Sequence, residues 1–258
     1  MKIPYIGICD FTSPKQVERL LPLFPETLPH KLMVGVMMSQ KTLTGRPSRW
    51  SGIFLPKEEI ASIFIDHPRV MNTIHYADYE DVDPRQLSVY LERVVCHGGP
   101  NLHAIQLDMI WPNELEVWRF RRTFPFMPIV LQVGKQAMKI AGDDPQEVVA
   151  HLKRYGDVID YVLLDRSMGR GEGMDAELLL TYADAIAEYI PDLGLAWAGG
   201  LGPKTTGRAA PLYLKHPNGS ADAQSQLRPS GDAKDPIHWG YARQYLKNMI
   251  ALVQCCQQ

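Results

Sequence analysis

The chain lacks a charge excess of either sign and any long apolar run. Its 258 residues carry 27 Lys+Arg against 29 Asp+Glu, a formal net charge of −2. That balance removes the broad electrostatic footprint of a nucleic-acid binder and leaves room only for a local basic patch. No uninterrupted apolar stretch approaches the roughly 20 residues a membrane helix needs, so no membrane partner is expected. Cysteine is sparse: Cys9, Cys96, Cys255 and Cys256 show no C-x-x-C spacing, which argues against a structural zinc site. The adjacent Cys255 and Cys256 read as a bystander pair. The opening MKIPYIGICD enters a strand pattern directly and lacks the basic, apolar and small-residue regions of a signal peptide. A reduced, cytoplasmic setting is the expectation, and the sequon Asn218-Gly219-Ser220 then carries little weight. No composition shift or low-complexity linker divides the chain.

What is present is ordinary globular composition, 45% hydrophobic and 22% charged, arranged as strand-like runs that alternate with helix-like runs. The apolar runs 3–8, 31–38, 69–76, 102–107, 127–133, 158–164 and 193–198 predict seven buried strands, with a weaker eighth near 219–223. Between and after them the spacing predicts helices over 12–23, 56–65, 84–96, 112–123, 144–154, 175–189, within 203–215, and over 235–253. Helices of 10–15 residues between strands argue for a parallel sheet. Eight such units in a chain near the typical ~250 residues favour one closed (β/α)₈ TIM barrel over residues 1–258. If the weak eighth strand is absent, an open doubly wound sheet is the alternative.

In a barrel, chemistry belongs at the C-terminal ends of the strands. Cys9 ends the first. Its thiol reads either as a base or nucleophile or as a small buried hydrophobe, and the adjacent Asp10 would raise its pKa by like-charge repulsion. Asp165 closes the run Leu163-Leu164 and precedes the glycine-rich segment 166–173; it reads as a general acid or as a loop-capping carboxylate. Ala198-Gly199-Gly200-Leu201-Gly202-Pro203 follows the seventh strand, where barrels commonly bind phosphate. Its partner would be Gln224-Ser225-Gln226, with Asp232–Asp235 placed just before the last helix. His75 and Asp108 end the third and fourth strands and, with Asp10 and Asp165, would make a divalent-metal set. Arg46 and Arg49 lie in the polar loop 39–52, where an arginine can fork onto a substrate carboxylate. Trp111, Trp118, Trp197 and Trp239 read as packing residues.

With these residues in order, the chain resembles the phosphoribosylanthranilate isomerase family, (β/α)₈ enzymes of tryptophan biosynthesis. Ile8-Cys9-Asp10-Phe11-Thr12 is similar to the family's I-C-G-I-T, and Gln106-Leu107-Asp108 to its Q-L-H-G. Leu163-Leu164-Asp165 with its glycine-rich sequel resembles L-L-D, and Ala198-Gly199-Gly200-Leu201 matches A-G-G-L. Asp222-Ala223-Gln224-Ser225-Gln226 resembles D-V-S-S-G, and Lys234-Asp235 the K-D before the last helix.

The resemblance implies an Amadori rearrangement of an aminoaldose to an aminoketose. It makes Asp165 the general acid that opens the furanose ring and Cys9 the base that takes the C2 proton. It gives Gly199, Gly200 and Ser225 the phosphate, and Arg49 (or Arg46) the anthranilate carboxylate. Gln224 and Asp108 would also face the substrate. The departures are Asp10 for glycine, Asp108 for histidine, and Gln224 and Gln226 for serine and glycine. They suit a divergent relative acting on a related substrate. The expected partner is a small phosphorylated molecule, with no cofactor and a monomer or homodimer as the working form. Two other readings stay open: a metal-assisted sugar-phosphate epimerase or lyase using His75, Asp108 and Asp165, and a non-catalytic barrel that binds a phosphorylated metabolite.

Overall fold

Eight short strands pair in chain order, each parallel to the next, and the eighth returns to the first to close a barrel. The computed structural model describes residues 2–48, 50, 52–80, 83–167 and 173–257. The strands are β1 (Tyr5–Ile8), β2 (Lys31–Ser39), β3 (Val70–Ala77), β4 (Ala104–Asp108), β5 (Ile129–Gly134), β6 (Tyr161–Asp165), β7 (Gly194–Trp197) and β8 (Ser220–Ala223). The eighth, with little apolar content, is nevertheless real. It pairs Ile6 with Ala221 and Ile8 with Ala223, and the Cys9 amide donates to the Ala223 carbonyl at 3.0 Å. The fold is therefore the single (β/α)₈ barrel, and the open sheet is excluded.

The helices are α1 (Pro14–Leu20), α2 (Gln40–Thr44), α3 (Leu87–Gly98), α4 (Glu114–Thr123), α5 (Lys135–Ile140), α6 (Pro145–Lys153), α7 (Ala176–Tyr189), α8 (Ala210–Lys215) and α9 (Trp239–Cys256). Ser13 caps α1 in a capping box with Gln16, with Pro14 in the first turn. Along α9 the buried residues Ala242, Tyr245, Leu246, Met249, Ile250 and Val253 recur at helical spacing and face the strands.

Three local expectations are corrected. The segment expected as a helix over 56–65 is a 3₁₀ stretch, Lys57–Ile63. The polar loop 39–52 holds the short helix α2, capped by Ser39. The last helix starts at Trp239, so Asp232–Asp235 belongs to a loop instead of a helix N-terminus. Trp111, Trp197 and Trp239 pack against His151, Tyr213 and Phe11, but Trp118 is exposed beneath Arg122. No helix among the described residues is long and apolar enough to cross a membrane.

Two cores result. The larger lies between strands and helices. The smaller fills the lower barrel with Tyr5, Met33, Met71, Ala104, Val130, Tyr161, Leu163 and Ala196. Above this plug the inward positions turn polar, with His75, Gln106, Gln132, Asp165 and Asp222 all buried.

Candidate active site

Inward side chains at the upper strand ends enclose a cavity of about 430 Å³. Cys9, His75, Gln106, Asp108, Gln132, Asp165 and Asp222 line its depth. Gly199, Gly200, Gln224, Ser225 and Lys234 line one side, and Trp50, Phe54 and Tyr79 another part of its wall. Cys9, Asp165, Asp108, Gly199, Gly200, Gln224 and Ser225, chosen from strand ends and from the resemblance, are thus brought together. Arg49 lies outside the described residues, as do Met168–Glu172 of the glycine-rich segment. Arg46 is not part of the cavity wall; its guanidinium bonds to Gln40 and faces Glu80.

Cys9 is only 1% exposed. Its thiol donates to Asp222 Oδ2 at 3.1 Å and lies 3.5 Å from His75 Nδ1. Room for this arrangement comes from two glycines. A Cβ on Gly7 would stand 2.6 Å from Met33 Cε and 2.8 Å from Asp222 Oδ1, and one on Gly35 3.1 Å from Cys9 Sγ. Burial, then the charges of Asp222 and Asp10, hold the thiol well above its ordinary pKa. The like-charge effect expected of Asp10 is therefore present but ranks behind burial and Asp222. Asp10 itself does not crowd the cavity: its carboxylate pairs with Arg228 at 2.5 Å and accepts from Gln224 Nε2 at 3.2 Å.

The other face of His75 is fixed as well. Its Nε2 meets Asp108 Oδ2 at 3.2 Å, and Asp108 Oδ1 accepts from the Tyr79 hydroxyl. Burial lowers the imidazole pKa, but Asp108 and the more distant carboxylates Asp222 and Asp10 outweigh it, and the net shift is upward. The Asp222 pKa is pushed up to about 6, chiefly by burial.

Asp165 is held on both oxygens. Oδ1 accepts from the Ser167 amide and hydroxyl, each at 2.8 Å, and Oδ2 accepts from Gln132 Nε2 at 3.4 Å. Gln132 Oε1 in turn accepts from Gln106 at 3.0 Å. Gly199 and Gly200 turn the chain after β7 with φ of 117° and 62°, and a Cβ on Gly199 would come within 3.4 Å of Asp165 Oδ1. The positive φ values favour glycine at both positions, while the approach to Asp165 is ordinary van der Waals contact.

The sequence pattern assigns no role to Asp222, Gln106, Gln132 or the stacked pair Trp50–Phe54, whose rings lie 5.1 Å apart and nearly parallel. Three donors of different chemistry, Cys9, His75 and Asp222, sit within 4.8 Å of one another. The metal set expected from strand ends, His75 and Asp108 with Asp10 and Asp165, is not the one that converges among the described residues.

No protein-family model matches the chain, and no curated protein matches it. Solved structures do. The catalytic domain of a hyperthermophilic chitinase from Pyrococcus furiosus superposes with a TM-score of 0.62 at 11% identity, over 100% of this chain and 98% of that one. Catalytic-site mutants of active domain 2 of a thermostable chitinase from the same organism, complexed with chito-oligosaccharides, give 0.61 at 12% identity, over 98% and 96%. An aldolase gives 0.51 at 10% identity, over 85% and 89%. At these identities the likeness is one of fold, the eight-stranded barrel.

Proposed function

We propose that this barrel is an enzyme that isomerises a phosphorylated aminosugar by general acid–base catalysis, in the manner of the phosphoribosylanthranilate isomerases it resembles. The observation that carries the reading is that Cys9 and Asp165, from β1 and β6, line one cavity together with the Gly199–Gly200 turn and Ser225. Its volume lies in the ~300–1,000 Å³ range of small-molecule sites.

In this reading Asp165 gives a proton to the furanose ring oxygen, and the ring opens to a Schiff base. Cys9 then takes the C2 proton, the electron pair forms the C1–C2 double bond of an enolamine, and this tautomerises to the aminoketose as C1 gains a proton and the C2 hydroxyl loses one. No oxidant or cofactor is needed. The thiol's own proton already bonds to Asp222 Oδ2, so the substrate proton can arrive at Sγ as the thiol proton leaves for that carboxylate. Ser167 and Gln132 hold Asp165 in place. Gly199, Gly200, Ser225 and Lys234 stand where a barrel binds phosphate, after the seventh and eighth strands. Asp108 and Gln224 line the substrate space, and Trp50 with Phe54 offers a flat apolar wall to an aromatic amine. The resemblance assigns a substrate carboxylate to Arg49, and Arg46, the other candidate, bonds to Gln40 outside the cavity wall. Asp10 supports the resemblance from an unexpected side: it holds φ at 73°, a backbone that suits the glycine of the family motif.

Turnover of freshly prepared phosphoribosylanthranilate, followed by loss of anthranilate fluorescence, tests the reading. Wild-type activity that falls at least ~100-fold in both Asp165→Asn and Cys9→Ser is the expected result. A folded wild type without turnover would overturn this substrate, and activity that survives either substitution would overturn the assigned roles.

A further inference from the structure

The barrel interior places a thiol, an imidazole and a carboxylate around one point, and we propose that Cys9, His75 and Asp222 form a binding site for a thiophilic divalent cation of the zinc class. The inference stands apart from the isomerase reading and limits it, because a metal on Sγ would occupy the electron pair that the base requires.

Four observations converge. First, the spacing fits. Tetrahedral zinc, with bonds of about 2.3 Å to sulfur and about 2.0–2.1 Å to nitrogen, sets those two donors about 3.6 Å apart. Cys9 Sγ and His75 Nδ1 are 3.5 Å apart, Cys9 Sγ and Asp222 Oδ2 are 3.1 Å apart, and all three donors lie within 4.8 Å. Second, the imidazole is prepared as a ligand. Its far nitrogen, Nε2, is held by Asp108 at 3.2 Å, the carboxylate–histidine support usual behind metal-bound histidines. Third, the Gln106 amide nitrogen lies 3.3 Å from both ring nitrogens. Equal distances put it over the ring face and leave the Nδ1 lone pair open in the ring plane. Fourth, Asp222 Oδ1 is fully buried and has no hydrogen-bond partner among the described residues, so the carboxylate is under-satisfied, and a cation held by Oδ2 would offset its charge.

Three protein ligands leave a fourth position, and the same residues line the cavity, so that position faces the space a ligand would fill. Binding displaces the Cys9 proton to solvent as the Sγ–metal bond forms, so uptake releases a proton and tightens as pH rises.

Co²⁺ added to chelator-treated protein tests the site, because its spectrum reports both coordination and sulfur ligation. One equivalent should bind, giving the intense visible bands of tetrahedral cobalt and a near-ultraviolet thiolate-to-cobalt band. Cys9→Ser should abolish the thiolate band. Asp222→Asn should weaken binding at least ~10-fold, and Asp108→Asn, which meets the histidine but neither of the other two ligands, by ~10–100-fold. Zn²⁺ should raise the Tm of the wild type and leave that of Cys9→Ser unmoved, which also reports whether the variant is folded. Failure to bind, or a thiolate band that persists in Cys9→Ser and so belongs to another cysteine, would overturn the site. Turnover is a separate readout: Zn²⁺ should suppress any isomerase activity and chelator should restore it. A protein that binds cobalt as described but turns nothing over would keep the metal site and lose the isomerase reading.

Discussion

The Asp10 carboxylate lies 2.5 Å from Nη2 of Arg228, a residue 218 positions away in the chain. The pair joins the loop after β1 to the segment after β8, across the seam where the barrel closes. Arg228 is 3% exposed and also donates to the Gln224 and Asp235 carbonyls. Removing Asp10 would leave a buried cation short of its only charged partner among the described residues. Asp10→Ala should cost roughly 3 kcal/mol of unfolding free energy. Asp10→Gly should cost less, because glycine accepts the 73° φ that alanine does not. Urea unfolding of the two variants checks the order, and equal losses would show that the backbone conformation contributes nothing.

Gly7 and Gly35 give a second prediction. Each is the space into which a site residue fits: the Asp222 carboxylate beside Gly7, and the Cys9 thiol beside Gly35. The Gly35 contacts include the Ile8 carbonyl at 3.0 Å and Cys9 Cα at 3.1 Å, backbone atoms that cannot swing aside. Gly35→Ala should therefore destabilise the fold by about 1–3 kcal/mol. Thiol labelling of Cys9 should also become faster as the strand ends part. A protein of unchanged stability would show that the barrel relaxes more freely than its packing implies.

His30 makes stability depend on pH. Its Nε2 meets the Gly219 carbonyl at 2.9 Å and must donate there, while Nδ1 is buried without a partner among the described residues. Burial lowers its pKa from 6.5 to about 4. The unfolded chain then binds the extra proton first, so this contribution is complete above pH 6.5 and is lost as pH falls toward 4. The loss amounts to roughly 3 kcal/mol. Comparing wild type with His30→Gln at pH 7.5 and pH 4.5 isolates it. Parallel stability profiles would contradict the assignment.

Trp50, stacked on Phe54 in the cavity wall, bears on specificity. On the proposed reaction, Trp50→Ala should raise KM for an anthranilate-bearing substrate by about 2- to 12-fold, the equivalent of ~0.5–1.5 kcal/mol of aromatic contact. The change in kcat should be smaller. Steady-state kinetics separates the two, and a fall in kcat alone would assign Trp50 a different task.

The strand ends at Cys9, Asp108 and Asp165 were legible because those buried runs stop at a residue of different chemistry. His75 and Asp222 were harder to rank. Parallel strands are apolar on both faces, so alternation does not mark which polar residue points inward. Gln106 and Gln132 were hidden for the same reason: nothing in Ala-Ile-Gln-Leu-Asp separates an interior glutamine from an incidental one. The Asp10–Arg228 pair depends on barrel closure and had no local signal. The helix α5 escaped notice because it follows β5 without an intervening loop, and the 3₁₀ stretch at Lys57–Ile63 carries an apolar pattern that also suits an α-helix.

The apolar plug of Tyr5, Met33, Met71 and Tyr161 gives the barrel a floor. A vessel with a floor is a dead end and not a conduit. Whatever enters between Trp50 and Lys234 has to turn back and leave through the mouth it came in by. On the proposed reaction, arrival and departure therefore share one doorway, and a product still at the threshold keeps the next substrate waiting.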